Sequence, residues 1–127
     1  MNSRINTAEA LRKLKGQIAI KLKTVGEFGV MISNVLVPVD TGRLKGSINY
    51  KVNRNEMTVR IGTNVEYAPY IEFGTGEFAE SGQGRKGGWY FTTPEGKTFF
   101  TYGNKPQPFL RPLVTSYKDE IFYLMNK

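Results

Sequence analysis

The chain has 127 residues and 14.3 kDa, one domain's worth over 1–127, and its 39% hydrophobic content with 7 Tyr, 8 Phe and 1 Trp suffices for a core. Eighteen Lys and Arg against eleven Asp and Glu give a net charge of +7 and a pI near 9.7, which constrains partners rather than fold. With no Cys and no His, a disulfide framework, a thiolate nucleophile, a cysteine zinc site and a Ser-His-Asp triad are all excluded, along with the commonest general base.

Residues 7–36 read as one long helix. Leu11, Leu14, Ile18, Val25, Phe28, Ile32 and Val35 recur at steps of three and four, and Leu22 fills the gap at Lys21 one position late. Asn6 followed by Glu9 predicts a capping box, and Pro38 disfavours helix at Val37. Gly16, Gly26 and Gly29 weaken the helix by roughly 1 kcal/mol each relative to Ala, and a bend is expected near Gly26. Thirty residues span roughly 45 Å, against about 35 Å for a compact globule of this length. The helix should overhang its own domain. The half before Gly26, with Leu11, Leu14 and Ile18, is expected to pack between subunits, and the half after it on the sheet.

Two hairpins follow, which predicts a small antiparallel sheet of about four strands. Ile48, Tyr50 and Val52 alternate before the turn Asn53-Arg54-Asn55-Glu56, and Met57, Val59 and Ile61 after it. Trp89-Tyr90-Phe91 and Phe99-Phe100-Thr101-Tyr102 flank a second turn at residues 93–97. Strand aromatics of this kind are expected in the core. Residues 74–88 hold glycines at 74, 76, 82, 84, 87 and 88 and read as a mobile loop. After the proline-rich residues 106–112, Leu113, Tyr117, Ile121 and Leu124 predict a C-terminal helix over 112–127. The fold class is α+β, with a helix in 1–37, sheet and loop in 38–111, and a closing helix. No apolar run reaches the ~20 residues of a membrane span. The polar start Met1-Asn2-Ser3-Arg4 lacks a signal-peptide core, so a soluble chain made inside a cell is expected.

Three motifs point toward enzymes and then fail. Asp40-Thr41-Gly42 matches the aspartic-protease tripeptide, but a long amphipathic helix has no place in a small all-β protease, and a helix-exit turn explains it. Gly82-Gln83-Gly84-Arg85-Lys86-Gly87 spells a dinucleotide glycine pattern without joining a strand to a helix. Gly96-Lys97-Thr98 ends like a P-loop, but Phe91 stands where the first glycine belongs. Turn glycines account for both.

Charge is uneven. Arg4, Arg12, Lys13, Lys15, Lys21 and Lys23 face Glu9 alone through residue 24, six cations less one anion, or +5 of the +7. Arg12, Lys13, Lys15, Lys21 and Lys23 are thus candidate contacts to DNA phosphates or to an acidic surface, against the plainer reading of a solvated helix face. Glu72, flanked by Ile71 and Phe73, must be exposed or paired, with Arg43 or Arg111 as its partner.

Three segments in order carry a resemblance. They are Val39-Asp40-Thr41-Gly42-Arg43-Leu44 with Ser47-Ile48; Ile61-Gly62-Thr63-Asn64 with residues 67–75; and Pro108-Phe109-Leu110-Arg111-Pro112. Together they resemble the minor tail-component family of tailed bacteriophages and prophages, known from HK-type lambdoid phages, over about residues 38–115. The resemblance implies a long N-terminal helix, a small antiparallel sheet and a C-terminal helix. It also implies a sixfold ring in the neck that completes the tail and joins it to the head connector, with connector or stopper, terminator and tail-tube proteins as neighbours. DNA crossing the channel is a further candidate partner, and no membrane is involved. It carries no catalytic, cofactor or metal residues, so no enzyme is expected. Location would be the virion neck or tail, after assembly in the bacterial cytoplasm. Interface candidates are Leu11, Leu14, Ile18, Tyr67, Tyr70, Glu72, Phe73, Arg85, Lys86, Phe109 and Leu110. Alternatives are a tail terminator ring, a DNA-binding module using the basic helix, and an aspartic protease.

Overall fold

The structure is a computed structural model describing residues 6–38 and 42–127. Helix α1 runs without interruption over Thr7–Leu36. Asn6 caps it as the sequence predicts, its Oδ1 accepting from the Glu9 amide at 3.1 Å. Val37 turns extended at the far end, as the residue before a proline prefers. Of the helix-exit turn expected at Asp40-Thr41-Gly42, Asp40 and Thr41 lie outside the described residues, as does Val39, and the described chain resumes in one helical turn, α2 (Gly42–Lys45).

Strands β1 (Asn49–Asn53) and β2 (Thr58–Gly62) pair antiparallel, with Tyr50 opposite Ile61 and Val52 opposite Val59. Those four residues are half-buried and form the face that meets α1, while Lys51 and Arg60 alternate outward. Met57 is not a strand residue as the alternation predicts; it closes the turn at φ +54.

The α1 glycines have a different role from the one their helix propensity suggests. The buried seam of α1 is Leu22, Val25, Gly26, Gly29 and Ser33. A Cβ on Gly26 would lie 2.5 Å from Tyr50 Cγ, and one on Gly29 would lie 2.4 Å from Ile61 Cδ1. Both glycines mark where the hairpin comes closest. Val35, expected on the apolar stripe, is 73% exposed because the buried seam follows the glycines instead.

Helix α3 (Ala68–Phe73) has Pro69 in its first turn and stops at Gly74, φ +82. The expected mobile loop begins as a folded connection. A 3-10 turn at Gly76–Phe78 is tied to the irregular segment that follows the second hairpin. Thr75 N–H donates to the Asn104 carbonyl at 2.9 Å, Glu77 N–H to the Tyr102 carbonyl at 2.9 Å, and Asn104 N–H to Thr75 Oγ1 at 2.8 Å. Gly76, at φ +61, lies so close to Tyr102 and Gly103 that no side chain fits. The glycine composition therefore reflects close approach as well as looseness.

Strands β3 (Trp89–Thr92) and β4 (Thr98–Thr101) pair as the second hairpin. The four strands form two separate two-stranded sheets rather than one. The inner face of β1–β2 is occupied by α1, and β3–β4 joins the body through the 75–77 and 102–104 hydrogen bonds rather than by strand pairing.

The C-terminal helix starts later than predicted. Pro112 sits in a 3-10 turn, Arg111–Val114, and Tyr117 N–H donates back to the Pro112 carbonyl at 2.9 Å. Helix α4 then covers Lys118–Asn126 and packs on α1, with the Tyr117 and Phe28 rings 6.2 Å apart edge to face. The central core gathers Val37, Leu44, Ile48, Val65, Ala68 and Phe109, with Val30, Ile61, Tyr67, Ile71 and Leu110 against them.

Candidate functional site

The motif segments converge on that core. Val65 N–H donates to Thr63 Oγ1 at 3.1 Å, Thr63 and Ser47 share a short hydroxyl contact, and Ser47 Oγ donates to the Leu44 carbonyl at 2.6 Å. These bonds connect the segment after α2 to the one after β2. The third segment is held by Glu72, which is 4% exposed. Its Oε1 accepts from Leu110 N–H at 2.9 Å and Phe109 N–H at 3.3 Å, and its Oε2 from Arg111 Nε at 2.9 Å. Arg111 also donates to the Glu72 carbonyl at 2.8 Å and bridges to Glu80 at 2.7 Å. Its guanidinium lies 4.8 Å above the Phe73 ring.

The partner question is thus resolved in favour of Arg111. Arg43 instead forms a bidentate pair with Glu66 at 2.9 and 3.0 Å and stacks over Tyr67. Hydrogen bonding to Arg43 holds the Glu66 carboxyl below its usual range. Hydrogen bonding to Glu80 holds the Arg111 guanidinium protonated beyond its ordinary range, Glu72 adding to the effect.

Two interface candidates require correction. Phe109 is 0% exposed and Glu72 is buried, so both build the subunit interior and neither is available to a neighbour. A carboxylate that satisfies two main-chain N–H groups and an arginine is a clamp for the proline-rich segment. Leu110 and Tyr67 are half-buried against the same core. Tyr70 and Phe73 remain exposed beside a cleft of about 680 Å³ that also includes Arg85. Arg85 covers its own Trp89 at 5.3 Å, and Lys86 is exposed.

On α1, Leu11 is 48% and Leu14 50% exposed, while Ile18 is half-buried. The hairpin touches only the edge of this end: Arg54, in the β1–β2 turn, donates to the Arg12 carbonyl at 3.1 Å, covers Gly16 and lines a small cleft with Asn55 and Leu11. Arg12, Lys13 and Lys23 are exposed and Lys15 and Lys21 half-buried. Of these, only Lys13 has an ion pair among the described residues, with Glu9 at 3.7 Å.

The second hairpin is an apolar surface that sequence reasoning assigned to the core. Tyr90, Phe100 and Tyr102 cluster on one face at 5.0 and 5.1 Å, Phe91 and Phe99 meet on the other at 5.7 Å, and all five are exposed. The available signal was that both faces of the hairpin are aromatic, which a sheet covered on one side does not require. Among the described residues no group of three or more Asp or Glu is placed to hold a metal, and no helix is long and apolar enough to cross a membrane.

A family model described as "Bacteriophage HK97-gp10, putative tail-component" matches residues 5–74, spanning α1, β1–β2 and α3. No curated protein and no solved structure matches the chain.

Proposed function

The chain belongs to the HK97-gp10-like family of bacteriophage tail components, and from that premise we propose that it is a structural protein of the neck. In this reading copies form a ring, six to the turn, that completes the tail and joins it to the head connector. The ring is built in the bacterial cytoplasm and stays in the virion, against connector or stopper proteins on one side and terminator or tube proteins on the other. It performs no catalysis and uses no cofactor. DNA passing through the channel is a further contact for its basic residues.

The observation that carries the reading is the uncovered apolar surface. One subunit folds around a closed core, yet leaves the Leu11–Leu14 end of α1 and both faces of the β3–β4 hairpin in water. A two-stranded hairpin is marginal alone, and apolar patches of this kind mark contacts with other chains. Inactivating the gene in its phage tests the reading. Filled heads and separate tails that join when the purified protein is added are expected. Heads joined normally to tails would refute the neck role, and tubes of uncontrolled length would assign the terminator role instead.

A further inference from the structure

The chain carries two surfaces that complement each other and cannot meet within one copy. The first is the ridge of Leu11 and Leu14, which lies on the same helical face as buried Leu22 and Val25 but stays about half exposed, the β1–β2 turn touching only its edge through Arg54 and Asn55. Arg12, Lys15 and Lys21 flank it, and none of the three has an ion pair among the described residues. The second is a slot of about 410 Å³ between α1 and α4, walled by Phe28, Tyr123 and Leu124 and edged by Asp119 and Glu120. Those carboxylates suit the first turn of α4. They too have no ion pair among the described residues, and their charge stays outward.

We propose that the ridge of one copy docks in the slot of a second copy, with the flanking cations opposite Asp119 and Glu120. The charges match in sign, and apolar meets apolar between them. Leu14 and Phe28 belong to the same helix, fourteen residues or about 21 Å apart, so a copy's own ridge cannot reach its slot and only another molecule's ridge could enter it. DNA would use the cations but would leave Leu11 and Leu14 wet. Two different patches in contact make the interface heterologous, the kind that closes into rings. The inference rests on the ring reading and assigns its contact.

The absence of cysteine makes the test clean. Leu14→Cys and Leu124→Cys chains are mixed in equal amounts at high concentration, oxidised mildly and separated under non-reducing conditions. The mixed 14–124 dimer is expected to exceed either homodimer about tenfold, and the chain carrying both cysteines to form a ladder of multimers. Adding Asp119→Lys and Glu120→Lys to the Leu124→Cys chain should abolish the mixed product. Adding Arg12→Glu and Lys15→Glu to the Leu14→Cys chain should then restore it, with unchanged circular dichroism throughout. A mixed dimer no more abundant than the homodimers, or one indifferent to charge reversal, overturns the proposal. If the unmodified chain then sediments as a closed multimer, only the assigned contact falls. If it stays monomeric and is missing from the neck, the ring reading falls with it. Tight duplex binding lost on Arg12→Glu and Lys15→Glu, with no mixed dimer, overturns it in favour of nucleic acid.

Discussion

Removing the Glu72 carboxylate should cost this subunit more than any other single charge change. In Glu72→Ala the main-chain N–H groups of Phe109 and Leu110 lose their acceptor, and Phe109 is fully buried where water cannot substitute. Each orphaned buried donor costs roughly 1–3 kcal/mol, so the pair gives about 2–6 kcal/mol. That is a large part of the ~5–15 kcal/mol that holds a domain of this size together. At about 4 °C per kcal/mol, the melting temperature should fall by roughly 8–24 °C. Glu72→Gln keeps one oxygen for the two amides and should cost less, about 1–2 kcal/mol. Urea unfolding followed by far-ultraviolet circular dichroism measures both. Glu66→Ala is the control, since its pair with Arg43 is exposed on both sides and should move the midpoint only slightly, far less than Glu72→Ala. Equal shifts for Glu72→Ala and Glu66→Ala would refute the clamp.

The α1 glycines should split by position. Gly16→Ala should stabilise by about 0.5–1 kcal/mol, because its new methyl meets only the mobile end of Arg54. Gly26→Ala should destabilise by about 1 kcal/mol, since overlap with the root of Tyr50 outweighs the gain in helix propensity; denaturant midpoints check both. Leu22→Ala, within the buried seam, should cost about 2–3 kcal/mol, whereas Leu14→Ser should leave the midpoint within about 0.5 kcal/mol and impair assembly instead. Glu66 is held below its usual 4.5 in the folded chain, so its stabilisation is present above that value and fades as pH falls through the folded pKa; the acid limb of stability in Glu66→Gln should be correspondingly flatter.

The sequence displays its helix because period and caps agree: Asn6 and Pro38 bracket it, and the structure gives the thirty residues Thr7–Leu36 between them. Hairpin positions are equally visible in the alternation around residues 53–56 and 93–97. Less legible is which apolar residues end up inside. Phe109 and Tyr90 are alike in composition, yet one is sealed in the core and the other is 73% exposed. The difference lies in tertiary contacts, Glu72 drawing the 109–110 amides inward while β3–β4 pairs only with itself. Glycine is similarly ambiguous. At residues 26 and 29 it allows a hairpin to approach a helix, which no propensity scale registers. Glu72 was flagged by its apolar neighbours, but choosing Arg111 over Arg43 required the fold.

The claim that this chain is a neck ring is tested most directly by electron cryomicroscopy of the intact particle. A ring of this subunit between the head connector and the tail tube is expected, with the first half of α1 seated against the adjacent copy. Density for the chain elsewhere in the tail, or as isolated copies without subunit-to-subunit contact, would contradict the account.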